Sequence, residues 1–211
     1  MQERPRTLQN LLNAARLAYD ECVTDPDGKA SVTKIFEALD NRVGERNGSS
    51  TKLPVCSHLK AALSLRPQQK SLSSLMDAFA ELEPELGWQR RTNYDEATAS
   101  ENFPDGHGNC MIAGPGGFEM RTDISLGVSL LAPNVRYPDH DHSPEETYLV
   151  LSDGMFRQGD GNWFTPGVGG TFYNVPMIRH AMRSGESHCL HSGRFGQGRG
   201  DRSLRQCFAI R

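Results

Sequence analysis

The hydrophobic pattern of this chain changes near Trp88, and this change constrains the fold more than any other feature of the sequence. Before Trp88, apolar residues recur three and four positions apart, which is the spacing of one buried helix face. After it, short apolar runs alternate with Gly and Pro, which is typical of strands joined by tight turns. The pattern predicts a helical region over residues 1–86 and a mainly β domain over residues 87–211.

Four apolar stripes predict four helices in the first region. The stretches Asp25–Gly28 and Asn47–Ser50 are rich in turn-forming residues and are predicted as loops between helices. None of the stripes carries a candidate catalytic residue, so we expect these helices to pack on the β domain or to form an oligomer contact. The stripes span Leu8–Tyr19, Val32–Val43, Val55–Leu63 and Leu72–Leu82.

The second region predicts several short strands. Ser125–Ala132 and Glu146–Leu151 are apolar runs of strand length. Gly159–Asn162 reads Gly-Asp-Gly-Asn and predicts a hairpin turn between Met155–Gln158 and Trp163–Phe164. Many short strands with regular turns predict a β-sandwich or a barrel.

Composition narrows the class of partner and the compartment. The formal net charge of -3 over 211 residues is too small to indicate a nucleic-acid or membrane partner. No run reaches the roughly 18 apolar residues of a membrane span, and the first residues lack the apolar core of a signal peptide. Five cysteines at irregular spacing do not suggest a disulfide framework. We therefore expect a cytoplasmic protein that acts on a small molecule.

The pattern most informative about chemistry is a cluster of histidines and a glutamate. His140 and His142 are two positions apart, so on a strand both side chains face the same side, and Glu146 shares that parity. His180 lies far enough along the chain to add a ligand from a distant strand of the sheet. Two imidazoles with a carboxylate and a further imidazole form a nitrogen and oxygen site for a transition metal. We predict a metal site made of His140, His142, Glu146 and His180.

A lone His-x-His pair in a Pro-rich loop is more often a polar surface feature than a metal site. The complete set of pair, glutamate, glycine turn and later histidine favours the metal site. The other histidines have no such context and are interpreted as ordinary residues. They are His58, His107, His188 and His191.

The spacing of this set resembles the two motifs of the cupins. His140-x-His142 followed by Glu146 and Gly154 is similar to the first motif, and Gly170, Pro176 and His180 are similar to the second. The resemblance implies a cupin double-stranded β-helix (jelly-roll) barrel, preceded here by the helical region, with one divalent transition metal inside. The candidate ions are Zn, Fe, Mn, Ni and Co, and the resemblance also allows a homodimer.

The sequence around these motifs is more specific and resembles that of the bacterial cupin-type dimethylsulfoniopropionate (DMSP) lyases. The similar segments are Tyr137-Pro-Asp-His-x-His142, Pro144-Glu-Glu-x-Tyr148-Leu149, Pro166–Asn174 and Ile178–Ser184. The resemblance implies a metal-dependent carbon–sulfur lyase that splits DMSP into dimethyl sulfide and acrylate by β-elimination. It also implies that Tyr148 is the catalytic base and that Tyr137 is a second catalytic or substrate-binding tyrosine.

The resemblance ends after Glu186, where a family member continues with an apolar strand that helps to close the barrel. This chain instead has a polar and Gly/Arg-rich stretch from His188 onward. That composition indicates either a divergent loop or a reading-frame slip in the source sequence.

Two other classes of protein fit the same metal ligands. Another cupin enzyme, such as an Fe(II) dioxygenase or a sugar-phosphate isomerase, uses similar ligands but does not need Tyr148 beside the metal. A non-catalytic cupin sensor usually carries a DNA-reading helix-turn-helix, and the helices here lack a basic recognition helix.

Overall fold

The computed structural model describes residues 4–41 and 50–195. Most of the predicted loop Asn47–Ser50 and the Gly/Arg-rich sequence beyond Phe195 lie outside the described residues. The α-helices are α1 (Arg6–Cys22), α2 (Pro26–Asp40), α3 (Leu59–Ser64), α4 (Lys70–Leu82) and α5 (Phe103–Gly106), with short 3-10 helices at Pro54–His58 and Glu83–Glu85.

The predicted helical stripes are buried faces, as expected from their spacing. Helix α2 starts earlier than predicted, because Pro26 occupies its first turn and the Asp25 side chain accepts a hydrogen bond of 2.7 Å from the Gly28 N–H. The loop prediction for Asp25–Gly28 was therefore wrong. The third predicted helix is divided into a 3-10 turn and the short α3. No helix in the described ranges is long and apolar enough to cross a membrane.

Up to Phe195, where the described residues end, the second region forms ten strands in two mainly antiparallel sheets, as the jelly-roll prediction requires. The larger sheet has the order β1-β2-β4-β10-β6-β8, with β3 paired in parallel to β2, and the smaller sheet has the order β5-β9-β7. The strands are β1 (Trp88–Gln89), β2 (His107–Gly114), β3 (Glu119–Met120), β4 (Ser125–Leu131), β5 (Arg136–His140), β6 (Glu146–Val150), β7 (Met155–Gln158), β8 (Thr171–Asn174), β9 (His180–Arg183) and β10 (Cys189–Phe195).

Strand β10 corrects the prediction for the sequence after Glu186. It is a seven-residue strand in the middle of the larger sheet, where it pairs antiparallel with β4 along its whole length and with β6. The barrel therefore has its closing strand despite the polar sequence. The predicted hairpin is also present, although Phe164 forms a single bridge with Phe156 rather than a strand.

The helices pack against the outer face of the larger sheet. Leu11 and Phe79, from α1 and α4, meet Ile112 and Leu126 of β2 and β4, and all four are almost fully buried. The Tyr19 hydroxyl lies 3.1 Å from Ser192 Oγ, which links α1 to β10.

An arginine network ties the carboxyl end of α2 to the same sheet. Arg121 donates to the carbonyl oxygens of Ala38 and Asn41 and to the carboxylate of Asp123, and Glu119 accepts from both Arg4 and Arg121. The guanidinium of Arg121 satisfies carbonyl groups that a helix end leaves unpaired.

Candidate active site

Three histidines converge inside the barrel from the strands of the smaller sheet. His140, at the end of β5, is paired in register with His180 at the start of β9, and His142 follows two residues later in the loop. The predicted strand therefore ends before His142, yet its ring still reaches the others. One side-chain nitrogen from each histidine lies within 4.8 Å of those of the other two, so this histidine triad can bind a metal ion.

Glu146 joins two of these histidines from β6 in the other sheet. Its Oε2 lies 3.1 Å from His142 Nε2 and 3.4 Å from His180 Nε2, and the side chain is 2% exposed. Burial alone would raise the pKa of Glu146, but the contacts with His142 and His180 outweigh it and lower the pKa to about 2. The carboxylate is therefore ionised and faces the triad.

The main chain fixes the orientation of every ring in the triad. Nδ1 of His140 lies 2.9 Å from the carbonyl oxygen of Pro138, Nδ1 of His142 lies 2.8 Å from that of Pro144, and Nδ1 of His180 lies 2.9 Å from that of Ile178. A carbonyl oxygen can only accept, so each Nδ1 must carry the hydrogen. Each neutral ring then presents the lone pair of Nε2 to the centre of the triad.

This arrangement fits a divalent cation. The Nε2 lone pairs of His142 and His180 face the ionised oxygen of Glu146. Among the described residues, the buried Nε2 of His180 has no hydrogen-bond partner. Acceptors that face one another in a buried site repel unless a proton or a cation lies between them. Burial lowers the pKa of His142, but the bond with Glu146 outweighs this and raises it. Imidazole and carboxylate ligands suit a borderline transition metal.

Tyr148 lies on β6, two residues after Glu146, and its ring faces the barrel interior. The ring stacks on Phe172 with a centroid distance of 4.7 Å and an interplanar angle of 16°, and its centroid is 6.3 Å from that of His180. Burial and then the charge of Glu146 raise the pKa of Tyr148 well above its usual value of 10. The tyrosine is therefore a neutral phenol in the protein alone.

Gly193 of β10 makes room for these two side chains. A Cβ at this position would lie 2.6 Å from Glu146 Oε1 and 3.4 Å from Tyr148 Cε1. Any other residue at 193 would force the carboxylate of Glu146 to shift. The tail that departs from the expected apolar sequence therefore contributes a glycine that leaves space for Glu146 and Tyr148.

Tyr137 lies on β5 within a cluster of aromatic rings and polar groups. Its hydroxyl accepts a hydrogen bond of 3.4 Å from Asn109 Nδ2, and Ser129 Oγ donates to Asn109 Oδ1 at 2.7 Å. Phe103 and His107 pack edge-on with the Tyr137 ring at centroid distances of 5.0 Å and 5.6 Å. Tyr137 is thus close to the triad, with its ring 5.0 Å from that of His140.

Two histidines interpreted as ordinary residues are buried beside these tyrosines. His107 Nδ1 donates to the Phe103 carbonyl, and its Nε2 accepts a bond of 2.8 Å from the Arg91 N–H. His191 is fully buried on β10, with its ring 5.2 Å from that of Tyr148. Burial lowers the pKa of both histidines to about 4. The tyrosines beside them lie on distant strands, so no local sequence pattern could have placed these histidines at the site.

Asp139 organises the outer side of the smaller sheet next to the triad. Its carboxylate, which is 4% exposed, forms ion pairs with Arg136 at 2.9 Å, Arg157 at 2.6 Å and Arg179 at 2.9 Å. Three guanidinium groups on one buried carboxylate hold together the strands that carry His140 and His180.

A cavity that is open on one side connects His140 and His142 of the triad with Tyr137 and Tyr148. The larger sheet contributes Asn109, Met111, Ser129 and Gly193, and the smaller sheet contributes Met182 opposite them. The lining also includes Arg91, Tyr137, Tyr148, His140, His142 and Glu146.

An antiparallel jelly-roll barrel with a histidine triad and a glutamate inside defines a cupin with a site able to hold a metal. Comparisons narrow the class further. A family model for dimethylsulfoniopropionate (DMSP) lyase matches residues 27–191. The chain therefore belongs to the DMSP lyase family.

Individual relatives agree with this assignment. The chain is 29% identical over 139 residues to a protein of Cereibacter sphaeroides named as a DMSP lyase, DddL, with 65% of this chain covered. It spans only 56% of that relative. A chain from the crystal structures of the DMSP lyases RdDddP and RnDddQII is 25% identical, with a TM-score of 0.72 and coverage of 92% and 93% of the two chains.

The fold is also shared with the DMSP lyase DddQ from Ruegeria pomeroyi DSS-3. That structure has a TM-score of 0.73 at 18% identity, with 94% of each chain covered. At this identity the likeness concerns the fold alone, including the helices that precede the barrel.

Proposed function

We propose that this protein cleaves DMSP into dimethyl sulfide and acrylate, using a divalent transition metal held by His140, His142, Glu146 and His180. Membership of the DMSP lyase family supports the substrate. The observation that supports the metal site is that main-chain carbonyl oxygens orient all three histidine rings. Each Nδ1 donates to such an oxygen, so that three Nε2 lone pairs point toward one place. Zn, Fe, Mn, Ni and Co all accept this ligand set.

The reaction is a β-elimination. A base removes the proton on the carbon next to the carboxylate, the electrons of that C–H bond form the new C=C bond, and the C–S bond breaks. The sulfur keeps the bonding pair and leaves as neutral dimethyl sulfide, so no acid catalyst is needed. The cavity needs a base, a partner for the substrate carboxylate and a surface that tolerates a sulfonium.

Tyr148 is the proposed base. Its phenol shares the interior face of β6 with Glu146 and is rigidly held by stacking on Phe172. When bound, the divalent cation supplies positive charge that favours a phenolate and stabilises negative charge on the substrate carboxylate. Without a cation, burial and Glu146 keep the phenol protonated. Tyr148 is thus a base only in the metal-loaded protein under this proposal.

Tyr137 is the proposed second tyrosine of the site. Its hydroxyl is held by Asn109, and its ring lies beside His140. From this position it can donate a hydrogen bond to bound substrate, and it is the alternative base if Tyr148 is not required.

The direct test is to incubate metal-loaded protein with DMSP and to measure dimethyl sulfide in the headspace. Elemental analysis of protein purified without a His-tag should give about one metal per chain. Replacing both His142 and His180 by Ala should abolish metal and dimethyl sulfide together. Metal retained by the double variant would contradict the site, and metal-loaded wild-type protein that releases no dimethyl sulfide would contradict the substrate.

A further inference from the structure

Arg91 brings a positive charge into the cavity from outside the barrel strands. It follows β1 and is half-buried, and its guanidinium lies over the Tyr137 ring at 5.9 Å from the centroid. Among the described residues of the lining, Arg91 is the one with a permanent positive charge. The neighbouring Arg90 is exposed and pairs with Asp105 on the surface, so the two adjacent arginines face different surroundings.

The backbone and the side chain of Arg91 are both held in place. The main-chain N–H donates to His107 Nε2 at 2.8 Å, and His107 is itself stacked on Phe103 with a centroid distance of 3.7 Å. The Arg91 Nε donates to the carbonyl oxygen of Asn93 at 3.0 Å, which fixes the plane of the guanidinium. A guanidinium oriented in this way is suited to a planar carboxylate.

Arg91 shares the lining of the cavity with His140 and His142 of the triad. Glu146, the one carboxylate in the described lining, is already engaged by His142 and His180. An anionic group that enters the cavity therefore meets Arg91 without competition from Glu146.

We propose that Arg91 binds the carboxylate of the substrate and so sets which end of the molecule faces the triad. This inference rests on the proposed function for the identity of the substrate. It places the carboxylate between Arg91 and the triad and turns the sulfonium away from the guanidinium, because two cations repel. The side chains of Met111 and Met182 supply an apolar surface for the sulfonium methyl groups. Arg91 thus selects for substrates that carry a carboxylate.

The test separates the two ends of the substrate with simpler probes. Propionate and acrylate carry the carboxylate alone, and trimethylsulfonium carries the sulfonium alone. Their dissociation constants are measured by titration calorimetry on metal-loaded wild type, Arg91→Gln, Arg91→Lys and Arg90→Gln. The last variant is the matched control, because it removes the same charge one residue away. All variants keep the main-chain N–H that His107 accepts.

We expect Arg91→Gln to weaken propionate and acrylate by about tenfold or more, the usual scale for a lost charge-assisted hydrogen bond. KM for DMSP should rise similarly while kcat changes less. Arg91→Lys should recover part of the binding, because it keeps the positive charge but lacks the planar pair of N–H donors of the guanidinium. Trimethylsulfonium should bind no worse to Arg91→Gln than to wild type, and Arg90→Gln should resemble wild type throughout.

Equal carboxylate binding by Arg91→Gln and Arg90→Gln would overturn the inference, as would a wild-type protein that binds neither carboxylate. Calorimetry keeps this outcome apart from the proposed function. Arg91-dependent carboxylate binding without release of dimethyl sulfide would remove the DMSP assignment alone. Release of dimethyl sulfide that is indifferent to Arg91→Gln would remove the role of Arg91 alone.

Discussion

The two faces of the larger sheet carry opposite chemistry. On the outer face, apolar side chains of the sheet such as Leu126 pack against Leu11 of α1 and Phe79 of α4. The inner face, together with the smaller sheet, buries polar groups that include Glu146 and His191. Burying apolar surface stabilises the fold, whereas burying a carboxylate and several imidazoles costs free energy unless each finds a partner.

The residues that stabilise the fold and the residues of the candidate site therefore lie on opposite faces of one sheet. A substitution on the outer face should change the free energy of unfolding and leave the chemistry intact. A substitution on the inner face should do the reverse, because its side chains are held by neighbours for a reaction. The following variants test that separation, beginning with the largest expected effect.

Tyr148→Phe should have the largest effect, and only on catalysis. It keeps the ring stacked on Phe172 and removes the oxygen proposed to accept the proton. Loss of a positioned base typically lowers kcat about a hundredfold to ten-thousandfold. Metal content and melting temperature should stay close to wild type, since the triad and the packing are unchanged. Near-normal release of dimethyl sulfide by a metal-loaded variant would move the role of base to Tyr137.

Phe79→Ala should have the next largest effect, and only on stability. The side chain is 2% exposed between α4 and the sheet and meets Trp88 edge-on at 6.4 Å. Removing a buried phenylalanine side chain costs about 3–5 kcal/mol in the free energy of unfolding. We expect kcat measured well below the melting temperature to be unchanged. Urea unfolding and headspace assays on the same samples give both quantities.

A matched control lies on the opposite face of α1. Leu17 is 63% exposed, so Leu17→Ala should change the free energy of unfolding by no more than about 0.5 kcal/mol. If Phe79→Ala lowers kcat as strongly as Tyr148→Phe, the helices contribute to catalysis and the separation of the two faces is wrong.

Several parts of the molecule could be predicted from sequence because their patterns are local. The stripe of α1 and the His140-x-His142 pair each lie within one stretch of chain, and a helical or strand period is enough to show which residues share a face. His180 was predicted from its distance along the chain after Glu146, and its pairing partner His140 lies in a distant strand. The structure brings one side-chain nitrogen of each histidine of the triad within 4.8 Å of the other two.

Strand β10 could not be predicted, for a physical reason. Prediction of strands from hydrophobic patterns assumes that inward side chains are apolar, but the interior of this barrel is polar. His191 and Gly193 face inward beside Tyr148, while Ser192 faces α1 and bonds with Tyr19. A strand buried on both faces therefore has a polar sequence. The same reasoning applies to His107, a buried polar residue on β2 whose ring packs edge-on with Tyr137 of a distant strand.

Gly193→Ala should have an intermediate effect that reaches both properties. The added Cβ would lie 2.6 Å from Glu146 Oε1, so the carboxylate that contacts His142 and His180 must shift. We expect about a tenfold to hundredfold loss of metal affinity in a chelator competition and about 1–3 kcal/mol of destabilisation from overpacking. Gly185→Ala is the control, because a Cβ there meets nothing within 4 Å. Identical metal affinity in the two variants would show that Glu146 does not need this space.

The smallest expected effect is a dependence of stability on pH that comes from His107. Burial lowers the pKa of this histidine from 6.5 to about 4, so the folded protein keeps it neutral while the unfolded chain takes up a proton below about pH 6.5. Its contribution to stability is complete above that pH and is lost as the pH falls toward 4. The loss for one such group is roughly 1–3 kcal/mol.

His107→Gln should reduce the stability at neutral pH, because the bonds to Arg91 and Phe103 are disturbed. It should also shrink the difference in unfolding free energy between about pH 7 and about pH 4.5 by that same amount.

The measurement uses metal-free protein, so that release of a metal in acid does not add to the difference. The groups of the triad titrate equally in both proteins and cancel. His58→Gln is the control and should leave the difference unchanged. If His107→Gln is as sensitive to acid as wild type, the acid sensitivity belongs to His191 or to the triad, and the hydrogen bonds that hold Arg91 do not depend on a neutral His107.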